Sequence, residues 1–166
     1  MLELVEQLTA RYRQRGVLVD TNLLLLLFIG TFDPFLLSSF KRTGDFTAED
    51  HQLLLLLLQP FERIITTPNI LTEVSNLSNQ MGEPKRSLYF DLFAEQIPKM
   101  DELYILSSAA SSSPVFIRFG LTDSGIVSLP PNEYLVMTAD RPLAGYLASI
   151  GIDVINFNDL RYLARA

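Results

Sequence analysis

The chain has 166 residues, no cysteine and a formal charge of −6 at pH 7. Its length and 48% hydrophobic content fit one folded domain over residues 1–166 and exclude a disordered chain, and the missing cysteines exclude disulfides, thiolate metal sites and cysteine nucleophiles. The acidic balance has the wrong sign for a broad basic nucleic-acid face, so any nucleic acid must be met locally, and carboxylates gathered to hold divalent cations become the feature to look for.

Leu2, Val5 and Leu8 recur at helical spacing and predict a short amphipathic helix over Leu2–Arg13. Gly16 ends it, and the β-branched-rich run Gly16–Val19 reads as a buried parallel strand that stops on Asp20. Arg11, Arg13 and Arg15 before this apolar stretch imitate an export signal, but Asp20 would cost about 2.5–3.5 kcal/mol in an inserting segment. The apolar run Leu23–Ile29 is far shorter than a membrane span, and no small-residue cleavage site follows. A cytoplasmic protein with no membrane segment is expected.

Leu23–Ile29 is predicted helical, with Asn22 available to cap it. Gly30–Pro34 reads as a turn and Phe35–Phe40 as a further helical piece. Thr47 followed by Asp50 reads as a capping arrangement for a helix running to Gln59, whose Leu53–Leu58 run demands deep burial or an oligomer interface. Arg63–Thr66 is a strand, Pro68 opens the next helix, and Ser87–Ile97 forms another. Tyr104–Leu106 reads as a strand and the serine-rich residues 107–113 as a loop or weak helix. Leu121–Leu129 (helix), Tyr134–Thr138 (strand), Leu143–Ile150 (helix), Asp153–Phe157 (strand) and Asn158–Ala164 (helix) complete the order. Short apolar strands alternating with helices imply a three-layer α/β/α sandwich around a central parallel sheet.

In such sheets ligands bind at the carboxyl ends of strands. Asp20 follows "GVLV" and Asp140 follows "YLVMTA", each directly off a buried strand, where an unpaired carboxylate is costly. Glu73 and Asp123 lie on helices beside apolar residues; taken singly, Glu73 is equally a solvated helical residue and Asp123 a helix cap. Four carboxylates above one sheet would repel one another, an arrangement that makes sense with Mg²⁺ or Mn²⁺ present. Oxygen donors and the absence of cysteine favour those ions over zinc. His51, beside Glu49 and Asp50, reads as a solvated histidine.

With the acids placed, "VLVDTNLLL", "TTPNILTEVSNL", "FGLTDSGIVSL" and "YLVMTADRPLAGYLASIGIDVINF" together resemble the PIN-domain ribonucleases over nearly the whole chain. The resemblance implies a PIN-like fold and metal-dependent hydrolysis of RNA phosphodiesters. Asp20, Glu73, Asp123 and Asp140 would be the catalytic, metal-binding acids, with Asn22 and Thr138 as polar supports. Asp20 and Asp140, on rigid strand ends, would ligate directly, and Glu73 and Asp123 would complete the shell or orient water. Arg141 is a candidate phosphate contact, as are Lys41–Arg42 and Lys85–Arg86. The extra length in residues 31–60, and Ser124 and Gly125 after the third acid, depart from the small toxin members. The implied partners are RNA, an antitoxin or other protein covering the site, and a second copy of the chain in a homodimer. A catalytically silent module of the same fold that binds RNA or protein is the alternative. A phosphatase of the haloacid-dehalogenase type would need an acid at Asn22, and a receiver domain would need a lysine near the last strand, where none follows Lys99.

Overall fold

A computed structural model describes residues 2–165. Five short strands, β1 (Val17–Val19), β2 (Ile64–Thr66), β3 (Asp101–Glu102), β4 (Leu135–Thr138) and β5 (Val154–Asn156), pair all-parallel in the order β3-β2-β1-β4-β5. Helices α1 (Leu2–Tyr12), α2 (Thr21–Phe32), α3 (Ala48–Leu58), α4 (Pro68–Ser78), α5 (Lys85–Gln96), α6 (Ser107–Ser111), α7 (Phe116–Ser128), α8 (Arg141–Ser149) and α9 (Phe157–Ala164) flank the sheet as an α/β/α sandwich. Every residue of β1 and β4 is buried, as their unbroken apolar sequences require when helices cover both faces. The chain winds from β1 to β2 and β3 on one side and reaches β4 and β5 on the other. The crevice where such a sheet binds ligands therefore lies between β1 and β4.

Gly16 makes the entry to β1: its φ is +100°, and a Cβ there would stand 2.8 Å from the Arg63 carbonyl oxygen of the paired strand. The capping box of α3 forms as expected, with Thr47 and Asp50 exchanging side-chain and backbone bonds. Among the described residues no helix is long and apolar enough to cross a membrane.

Several boundaries differ from the sequence expectations. The cap of α2 is Asp20 rather than Asn22, and the helix runs through Gly30 to Phe32, leaving a single 3₁₀ turn, Pro34–Leu36, in place of the helical piece over 35–40. Packing explains the extension. The ring of His51 lies where a Cβ of Gly30 would be, 2.4 Å from its Cδ2, so glycine here admits a neighbouring helix instead of ending its own. His51 is accordingly buried, not solvated; Nε2 lies 3.2 Å from Thr31 Oγ1, and desolvation lowers its pKa. In the leucine run of α3, Leu54 and Leu58 enter the core while Leu55 and Leu56 are 38% and 67% exposed, so one face only is buried. The edge strand β3 falls at Asp101–Glu102, where Arg63 pairs with Asp101, and not at Tyr104–Leu106. The helix expected from Leu121 starts there, after Gly120, whose φ of +73° separates it from an added helical turn that begins at Phe116.

Candidate acidic site

Asp20 leaves the end of β1 and is 3% exposed. Its Oδ1 accepts the Leu23 backbone N–H at 2.8 Å, which fixes the first turn of α2. Its Oδ2 accepts the Thr138 hydroxyl and, at 3.0 Å, the Ala139 N–H. The donors are neutral and come from the first turn of α2 and the end of β4, so the carboxylate, leaving β1, ties that strand end to β4 and stays in one orientation. Burial and the charge of Asp140 push its pKa up to about 6, against the pull of those three bonds.

Asp140 occupies the matching place after β4. It caps α8, its Oδ1 accepting the Leu143 N–H at 2.7 Å, and its own N–H donates to Thr138 Oγ1 at 2.9 Å. Thr138, fully buried, thus links the two strand-end acids: it donates to one and accepts from the backbone of the other.

Glu73 approaches from α4. Pro68 and the Thr67 cap start that helix directly after β2, and Glu73 Oε2 accepts the Thr21 hydroxyl at 2.9 Å. It is half-buried and held, not solvated. Asp123 comes from α7, in the first turn of the helical segment that follows the Gly120 break. Burial, together with the negative charges of Asp20, Asp140 and Glu73, raises the pKa of Asp123 to about 7. All four carboxylates therefore act on one region of the crevice.

The donor set consists of carboxylate oxygens with hydroxyls behind them, which suits a hard divalent cation. One added positive charge would offset both the burial of Asp20 and the repulsion felt at Asp123. As the side chains stand, no three acids or histidines among the described residues are close enough to form a ready ligand group. The residues fit such an ion in charge and donor type.

The remaining candidates divide. Asn22 is exposed on the first turn of α2, and it is the adjacent Thr21 that meets the acids. Arg141 is exposed at the start of α8, 3.6 Å from Asp159. Lys41 and Arg42 are exposed, whereas Lys85 pairs with Asp33 and Arg86 bonds Asn79 and Glu83 and lies over the Phe90 ring. Sequence reasoning missed Thr21 and Asn158, whose amide donates to the Ala139 carbonyl and steadies the Thr138–Asp140 corner. It also missed Thr66 Oγ1, Asn69 Nδ2 and Ser124 Oγ, buried without partners on β2, α4 and α7. A hydroxyl next to a strand-end acid was the available signal for Thr21; nothing local marks the others. No protein-family model, curated protein or solved structure matches the chain.

Proposed function

We propose that this chain is a metal-dependent endoribonuclease that hydrolyses phosphodiester bonds of RNA at the crevice between β1 and β4. The observation that carries the reading is the Asp20–Thr138–Asp140 arrangement: two strand-end carboxylates joined by one buried hydroxyl at the reversal point of a parallel sheet. The elevated pKa of Asp123, raised by burial and then by three other acids, supports it, and so does the resemblance of these segments to PIN-domain ribonucleases.

Asp20, Glu73, Asp123 and Asp140 would hold Mg²⁺ or Mn²⁺, which when bound lowers the pKa of a water and neutralises charge on a phosphate. Asp20 contributes a fixed oxygen, since three hydrogen bonds hold it. Thr21 orients Glu73, and Thr138 keeps the two strand-end acids in register. His51 is buried away from solvent, so a histidine acid–base mechanism has no candidate, and the expected products carry a 5′-phosphate and a 3′-hydroxyl. Within this reading the chain would act as a toxin covered by a basic antitoxin, or as a homodimer.

A silent RNA- or protein-binding module is the second reading, favoured by the lack of a ready three-ligand group. Cleavage of a labelled single-stranded RNA with Mg²⁺, Mn²⁺ or EDTA, comparing the native chain with Asp20→Asn and Asp140→Asn, separates them. Metal-dependent cleavage lost in both variants supports the nuclease. No cleavage, with no Mn²⁺ uptake by calorimetry, supports the silent module.

A further inference from the structure

Beside the acids lies a cavity of about 1090 Å³ lined by Arg141, Asn158, Asp159, Arg161, Tyr162 and Arg165, among others. That volume is at the upper end for small-ligand pockets and suits an extended ligand. Three arginines here meet Asp159 and Asp50, with Glu49 a further acid near Arg165, and the Arg141 and Arg165 side chains remain 58% and 53% exposed. Arg161 forms the floor: it bonds Asp50, the Asp45 carbonyl and Asn158, yet its Nε is buried with no partner. Tyr162 is 74% exposed, an aromatic face open to solvent between arginines.

Two residues of the cavity lining connect to the acid site. Arg141 follows Asp140 in the chain, and Asn158 holds the carbonyl of Ala139, whose N–H holds Asp20. A basic groove with an exposed aromatic ring is how proteins hold single strands without reading their sequence, the cations taking the backbone and the ring a base. An acidic partner peptide would use the arginines and leave Tyr162 without a role.

We propose that the α9 groove holds single-stranded RNA next to the acid cluster, with Arg141 and Arg165 on phosphates and a base stacked on Tyr162. The proposal rests on the nuclease reading for its choice of RNA, but its test does not require cleavage. The probe is a fluorescein-labelled 12-nucleotide single-stranded RNA, followed by anisotropy in EDTA over a series of salt concentrations. Tyr162→Ala is expected to weaken binding about five- to tenfold, and Arg141→Ala to lower the slope of log affinity against log salt by about one. Thermal melts of both variants check that they remain folded, as substitution of exposed side chains predicts.

Binding that weakens in both variants, with metal-dependent cleavage present in the native chain, supports groove and nuclease together. Binding that weakens in both variants with no cleavage under any metal supports the groove and removes the nuclease reading. Native cleavage and affinity unchanged by either substitution would overturn the groove and leave the nuclease standing. Absence of RNA binding, or capture of an acidic peptide unaffected by Tyr162→Ala, would also overturn it.

Discussion

Asp20 and Asp50 are both buried carboxylates, 3% and 2% exposed, in opposite surroundings. Asp50, at the start of α3, receives two guanidinium groups on one oxygen, Arg161 at 2.9 Å and Arg165 at 2.8 Å, besides the Thr47 N–H. Asp20 receives only a hydroxyl and two backbone N–H groups, and acids lie around it. The first is an ion pair completed within the chain, tying α3 to α9. The second has no positively charged partner among the described residues. Burial alone does not distinguish structural from functional acids; the charge of the partners does.

The largest expected effect on stability is at the completed pair. Asp50→Ala leaves two arginines facing each other and removes the capping box, so urea unfolding should show a loss of about 3–5 kcal/mol. Asp20→Asn should leave stability far less affected while lowering metal-dependent cleavage by about a hundredfold or more. Equal stability losses in the two variants would erase the contrast.

A third prediction concerns pH. The folded chain keeps a proton on Asp123 up to about pH 7, and the unfolded chain only to about 4. Between those values the folded state binds more protons, so its stability falls as pH rises from about 4 to about 7 and stays lower above. Asp20, with its pKa raised to about 6, adds the same sign over about 4 to 6. In EDTA the melting temperature should drop by a few degrees between pH 5 and pH 8, and Asp123→Asn should flatten that drop. Mn²⁺ should raise it more at pH 8 than at pH 5. An unchanged slope in the variant would show that the acids do not act on one another.

The smallest effect is expected for Arg165→Ala. Its guanidinium is 53% exposed and Arg161 still neutralises Asp50, so calorimetric unfolding should register a loss below about 1 kcal/mol. A larger loss would mean that Asp50 needs both arginines.

The elements legible in the sequence are those governed by neighbours along the chain. β1 and β4 read as unbroken apolar runs, Thr47 and Asp50 as a capping box, and Pro68 as a helix start, because each signal spans a few residues. Asp20 and Asp140 were legible as site candidates because strand ends are visible in sequence. What escaped depended on distant partners. The Asp50 pair joins residues 111 and 115 positions apart, and the fit of His51 against Gly30 turned an expected turn into helix. The strand β3 has two charged residues and an edge position, so it carries no apolar pattern. Asn158 reaches the site only through the pairing of β4 with β5.

The pairing of β1 with β4 also sets when the acid cluster can exist during synthesis. Val17 aligns with Leu135, and Asp20 finds its Thr138 and Ala139 donors only after 118 and 119 further residues have been made. While the ribosome is still adding α2 to α7, Asp20 has its helix-capping bond available but not its second strand, and Asp140 has not been made. The crevice thus cannot assemble before β4 has been made, and until then the growing chain lies beside messenger and ribosomal RNA without it.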